Sequence, residues 1–148
     1  MTLPGTHWHF AAGDKYPILN FGSKTRIPGA IWLPPVANPI PCRRGYHASV
    51  RAIDALRYAQ GPWVSRVSLR GKGVPHNGDK DCAEQRIHHV FADATTLLHE
   101  FACDEAERAL LAERKAGRKP HPDSWKAIKV KRQWMKGKAT DAQLRAAY

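Results

Sequence analysis

Apolar and polar side chains alternate with a period of two in three stretches of the chain and recur at helical spacing in four others. Near the start, Thr6, Trp8 and Phe10 alternate with His7 and His9, which predicts a first strand with both histidines on one face. Gly13-Asp14 marks a turn. Pro17, Pro28, Pro34, Pro35, Pro39 and Pro41 then crowd the chain. Proline fixes its own φ and biases its predecessor toward extended backbone, so only short extended pieces such as 30–33 are expected there.

The richest stretch runs from Cys42 to Gly71. Gly45 supplies backbone freedom ahead of Tyr46 and His47, where a close approach or a positive φ is needed. Ser49 is a good N-cap, and Val50, Ile53 and Leu56 follow at helical spacing among alanines. Gly61-Pro62 ends that helix. From Trp63 the period becomes two: Trp63, Ser65, Val67 and Leu69 share one face, and Gly71 and Gly73 are expected to break the strand. The unit predicted is short strand, turn, helix, half-buried strand.

A turn at His76-Asn77-Gly78-Asp79 leads into a strand over 84–91, with Ile87, His89 and Phe91 on one side. Asp93 is positioned to cap the longest helix, 94–116. Its predicted apolar stripe is Leu97, Leu98, Phe101, Ala102, Ala109 and Leu110. Gly117 is a C′ candidate, and Pro120 and Pro122 stop the helix. A further helix restarts at Asp123-Ser124 with Trp125, Ile128 and Met135 on one side. Thr140-x-x-Gln143 forms a capping box for a last short helix.

Composition narrows the picture. At 148 residues the chain suits one domain with an appendage. Cys42, Cys82 and Cys103 are odd in number and widely spaced, which argues against a disulfide framework and fits a reducing cytoplasm. No apolar run is long enough to span a membrane, and the N-terminal segment lacks the basic and apolar regions of a signal peptide. The net charge of +11 is uneven: residues 1–113 carry 13 Lys/Arg against 11 Asp/Glu, and residues 114–148 carry 11 against 2. The basic character therefore belongs to the C-terminal part. A nucleic acid or an acidic protein of the host is the expected partner for residues 114–148, through Lys126, Lys129, Lys131, Arg132 and Lys136. Trp125 and Trp134 lie among these cations, where an exposed indole would stack on a base, although packing is the commoner use of such rings. No metal is expected: Cys42, His47, Cys82, His88 and His89 match no standard pair of zinc-ligand spacings. Walker, GxSxG and HExxH motifs are absent.

The segments WHF (8–10), GYHAS (45–49), DALRYAQGP (54–62), GDK (78–80) and DATTLLHEFA (93–102) resemble a family of phage and bacterial proteins with WHF, GLHAS, DALxYAxG and DDK motifs. The resemblance covers roughly residues 6–110 and implies a phage or prophage setting, in the cytoplasm of a bacterial host. A second resemblance is to ADP-ribosyltransferases of the poly(ADP-ribose) polymerase type. There a strand histidine holds ribose and an aromatic pair flanks nicotinamide. His9 takes the place of the histidine, His47 that of the first tyrosine after Gly45-Tyr46, and Tyr58 that of the second. Phe10 stands where that family has glycine, and no late-strand glutamate is placed; Asp79, Asp81 and Glu84 are the nearby carboxylates.

These observations predict an α+β fold, ADP-ribosyltransferase-like: a small twisted, mostly antiparallel sheet with two packed helices over residues 1–117, and a basic helical tail over 118–148. By resemblance NAD is the cofactor, held by His9, Tyr46, His47, Ser49 and Tyr58, with His9, His47 and Tyr58 at the reacting centre. The alternative is a non-enzymatic protein that binds nucleic acid or a host complex through the tail.

Overall fold

The computed structural model describes residues 5–19, 24–76 and 78–147, without the side chains of Val74, Pro75 and His76. Asn77, within the expected 76–79 turn, lies outside the described residues. The architecture is α+β, in two compact units: Met1–Ala94 and Thr95–Tyr148.

The first unit is a curled antiparallel sheet. It contains β1 (His7–Ala11), β2 (Tyr46–Ala48), the short helix α1 (Ala52–Leu56), β3 (Trp63–His76) and β4 (Lys80–Asp93). The strand order is β1-β3-β4-β2, every pair antiparallel. The two edge strands meet where Trp8 and Ser49 exchange both backbone bonds, N–H to O at 2.7 and 3.0 Å. This pair satisfies edge groups that would otherwise face water, and it curls the sheet.

Two expectations change here. Gly71 and Gly73 do not break β3, which continues to His76 as a long hairpin arm. The pairing register shifts between Arg70 and Gly73, and Gly71 sits at φ +83°. The glycines are therefore absorbed as a bulge. Ser49 does not cap α1. It is 1 % exposed and strand-like, held by its backbone to Trp8; Arg51 is the N-cap and has no side-chain cap bond.

Inside the curl the side chains are unusually polar. Ser65, Lys80, Arg86 and His88 are buried beside Phe10, Val67 and Cys82. On β4, Lys80, Cys82, Arg86 and His88 are covered on one face, opposite Ile87 and His89. The register shift between Arg66 and Val67 then turns Phe91, whose ring stacks on His88 at 5.1 Å, so Phe91 leaves the side expected for it with Ile87 and His89.

The second unit holds α2 (Thr95–Lys115), α3 (Pro122–Met135) and α4 (Asp141–Arg145). The long helix, expected to close the first domain at 117, is instead the first element of this unit. It packs on α3, where Arg132 binds Asp104 and Glu107 at 2.8 and 2.7 Å. The face so covered carries Cys103, whereas Leu97 of the predicted stripe is 65 % exposed and Phe101 39 %. Among the described residues, no helix is long and apolar enough to cross a membrane.

Helix ends follow the sequence closely. Gly117 (φ +78°) takes a bond from its N–H to Arg114 O while Arg118 N–H reaches Glu113 O, the paired bonds of a glycine-terminated helix. Gly137 repeats this after α3. Thr140 and Gln143 form the reciprocal capping box of α4.

Candidate functional site

A cavity of about 600 Å³ opens in the first unit between β1 and the segment 42–58. His9, His47 and Tyr58, separated widely along the chain, all line it, as do Tyr46 and Ser49. The curl of the sheet is the cause. The Trp8–Ser49 pair brings β1 against the end of β2, and α1 then carries Tyr58 back over the opening.

His9 lies on β1 opposite Ser65 of β3. Burial, then the charge of Arg86 and the rings of His88 and His47, hold its pKa well below the ordinary histidine value. At neutral pH it is an uncharged imidazole, suited to exchange hydrogen bonds with a sugar hydroxyl but not to pair with an anion. Its Nδ1 is sealed from solvent without a partner among the described residues.

Behind His9 runs a chain of hydrogen bonds whose directions are fixed by Arg86, which can only donate. Arg86 Nε gives its proton to His88 Nε2 at 2.9 Å. His88 therefore carries its hydrogen on Nδ1 and donates to Ser65 Oγ at 2.9 Å. Ser65 in turn donates to His9 O at 3.2 Å. A second Arg86 nitrogen donates to His47 O at 2.6 Å. Burial, with the neighbouring charges of Arg86 and His89, pushes the His88 pKa down to about 2.

Arg86 is the unusual member. It is 4 % exposed and forms no ion pair with a carboxylate among the described residues. Burial lowers its pKa to about 10, partly offset by Tyr46, so it stays a cation at neutral pH. Tyr46 covers it at 5.4 Å from the ring centre and is itself anchored by its hydroxyl to Pro34 O at 3.1 Å. Tyr46 thus acts as a wall for the guanidinium.

Lys80 is the second buried cation, 8 % exposed. Its Nζ stands 3.1 Å from Cys42 Sγ and 3.7 Å from the centre of the Tyr58 ring. The Tyr58 hydroxyl donates to Asp79 Oδ2 at 2.7 Å, which with further burial raises the phenol pKa. Asp79 also faces Arg57 at 3.8 Å. Asp81 accepts from or pairs with His7 at 2.9 Å, so of the carboxylates expected near the site only Asp79 touches a described cavity side chain.

His47 is placed by its ring as well as its carbonyl. Its Nε2 accepts the backbone N–H of Cys42 at 3.0 Å. Cys42 itself holds φ +63° at the apex of a turn closed by Ile40 and Arg44. Gly45, at φ +114°, sits so close to the sheet that an added Cβ would lie 2.8 Å from Cys82 Sγ and 2.9 Å from Pro39 Cβ. A side chain there would meet both strain and collision.

Among the described residues no carboxylate lines the cavity; Arg43, Arg44, Lys80 and Arg86 do. Such a site favours an anionic ligand, because an incoming anion supplies the charge that the burial of Arg86 leaves unbalanced.

The cationic residues of the second unit fare differently. Lys126, Lys129 and Lys136 are exposed. Arg132 is committed to Asp104 and Glu107, which raise its pKa further, so it is not an available phosphate contact. Lys131 covers the Trp134 ring at 4.1 Å, while the indole N–H of Trp134 donates to Asp141 at 2.6 Å. Trp125 is half-buried and faced by Arg114 at 5.9 Å. Neither indole stands clear to stack on a base.

Three residues central to the cavity did not emerge as candidates from sequence: Cys42, Lys80 and Arg86. The available signal was the alternation on β4, where Lys80, Cys82, Arg86 and His88 fall on one face. Polar residues on an alternating face ordinarily mean the solvent side, and here that face is interior. No family model, no curated protein and no solved structure matches this chain.

Proposed function

We propose that the cavity of the first unit binds a phosphorylated nucleotide, with NAD as the candidate, through a site that resembles that of the ADP-ribosyltransferases. The observation that carries this is the pairing of a neutral His9 with two buried cations, Arg86 and Lys80, in one cavity that no carboxylate lines among the described residues. Arg86 and Lys80 suit the phosphates, and His9 suits a ribose hydroxyl. By the resemblance His47 and Tyr58 would flank the nicotinamide ring; Lys80 occupies one face of Tyr58, so such a ring has only the other.

NAD would bring a ribosyl C1′ whose bond to nicotinamide breaks when an acceptor attacks. Asp79 does not line the cavity, but its bond to the Tyr58 hydroxyl makes it the carboxylate that would have to stabilise the positive charge that develops there. Binding needs only the cations and His9, whereas transfer also needs Asp79. A degenerate member that binds without transferring thus has the same cavity. The test is calorimetric titration with NAD and ADP-ribose, together with an assay for released nicotinamide. Saturable binding lost in His9→Ala supports the assignment, and silence with both ligands refutes it.

Exposed Lys126, Lys129 and Lys136 favour a second activity, phosphate contact by α3, because at 100° per residue they project from one side of the helix direction. Salt-dependent nucleic-acid binding is its measure.

A further inference from the structure

Cys42 is the exposed thiol of the chain, whereas Cys82 and Cys103 are buried. Three features converge on it. Its backbone is held at φ +63°, a conformation that L side chains rarely adopt, and its N–H is tied to His47 Nε2. Backbone strain of this kind persists only where the surroundings enforce it. Its sulfur is 3.1 Å from Lys80 Nζ. Lys80 is buried, and among the described residues no carboxylate pairs with it. Burial works against the ammonium, yet the Cys42 sulfur and Tyr58 outweigh it and hold the Lys80 pKa above the ordinary lysine value. The thiolate is the nucleophilic form of cysteine, and the Lys80 ammonium stands in contact with the sulfur that would carry that charge. Finally, the sulfur lies on the wall of a cavity that Arg43, Arg44 and Arg86 also line.

We propose that Cys42 is a modification site: its thiolate undergoes thiol–disulfide exchange with small anionic disulfides, which the cations of the cavity select. The sulfur of Cys42 attacks one sulfur of the disulfide. A new S–S bond forms to Cys42, the original S–S bond breaks, and the departing thiolate takes its electron pair. The disulfide is the oxidant, and Cys42 is oxidised to a mixed disulfide. The proton of the thiol goes to solvent, and Lys80 remains an ammonium ion throughout. The attached group then fills the cavity. That consequence, occlusion of the nucleotide site, rests on the proposed function above; the exchange itself does not. Cys82 is a built-in control, since burial pushes its thiol up and keeps it protonated.

Stopped-flow reaction of the native full-length chain with the dianionic reagent dithiobis(nitrobenzoate) and the neutral reagent dithiodipyridine tests this, each rate normalised to that of free cysteine. One thiol should react fast, with about a tenfold preference for the anionic reagent that fades with added salt. Cys42→Ser should remove the fast phase, and Lys80→Met should slow it and erase the preference. Peptide mass analysis should place the adduct on Cys42. A fast phase that survives Cys42→Ser, or equal normalised rates for the two reagents, overturns the proposal. Should Lys80→Met not fold, Arg43→Gln and the salt series decide the same point. Anion-selective exchange without NAD binding would leave this site standing and remove the nucleotide assignment; NAD binding with an unselective Cys42 would do the reverse.

Discussion

Arg86 Nε donates to His88 Nε2 across 2.9 Å, inside a sheet where both side chains are almost fully covered. The bond fixes His88 as a neutral acceptor on that nitrogen, and the rest of the chain to Ser65 and His9 follows from it. A buried cation held by neutral partners makes the first unit sensitive to acid.

The direction can be worked out from the histidines. His88 titrates at about 2 in the folded chain and His9 well below its ordinary value, whereas both return to about 6.5 on unfolding. Below that pH the unfolded chain binds protons that the folded chain refuses, so stability falls as pH falls. The loss approaches about 1.4 kcal/mol per pH unit for each such histidine. Urea midpoints should hold steady above neutral pH and drop progressively from roughly pH 6 to pH 4. A midpoint unchanged across that range would contradict the buried neutral network.

Gly45→Ala should destabilise more than Gly78→Ala. Both glycines have positive φ, +114° and +72°. At Gly78 no atom of the described residues lies within 4 Å of an added Cβ, so the cost is conformational alone, about 1–2 kcal/mol. At Gly45 the same methyl collides with Cys82 Sγ and Pro39 Cβ, adding about 1–3 kcal/mol for overpacking. Urea unfolding of the two variants compares them directly, and equal losses would count against the packing of the 40–45 turn.

For the second unit the charge geometry distinguishes residues that the sequence alone made equivalent. Filter binding to duplex DNA across a salt series should lose about 0.9 from its log–log slope for each of Lys126, Lys129 and Lys136 changed to Ala. Arg132→Ala should leave the slope alone and lower the thermal midpoint instead, since Arg132 serves Asp104 and Glu107. A slope that drops with Arg132 and not with the lysines would reverse the assignment.

Local rules carried far in this sequence. Alternation placed β1 and the hairpin strands, and the glycine stop at Gly117 and the Thr140 capping box are present in bond-by-bond detail. These features depend on a few adjacent residues. What was not legible depends on closure of the sheet. Ser49 has the chemistry of an N-cap, but pairing with Trp8 outcompetes that use. Gly71 signals a strand end, but the partner strand continues and absorbs it as a bulge. Lys80 and Arg86 read as solvent-facing until the curl turns their face inward, so the cations of the cavity stayed hidden while its histidines and Tyr58 were singled out. The predicted stripe of α2 failed for a related reason: α3 chose the face that offers Asp104 and Glu107 to Arg132 and left Leu97 exposed.

The whole functional account turns on whether the charge of Arg86 and Lys80 awaits an anionic ligand. Isothermal titration of the intact chain with NAD, repeated with Lys80→Met, measures this most directly. The expected result is saturable one-to-one binding that weakens with salt and falls by about tenfold or more in the variant, a loss of roughly 1.4 kcal/mol. Absence of any binding heat or thermal stabilisation in the unaltered chain, or binding indifferent to Lys80, would contradict it.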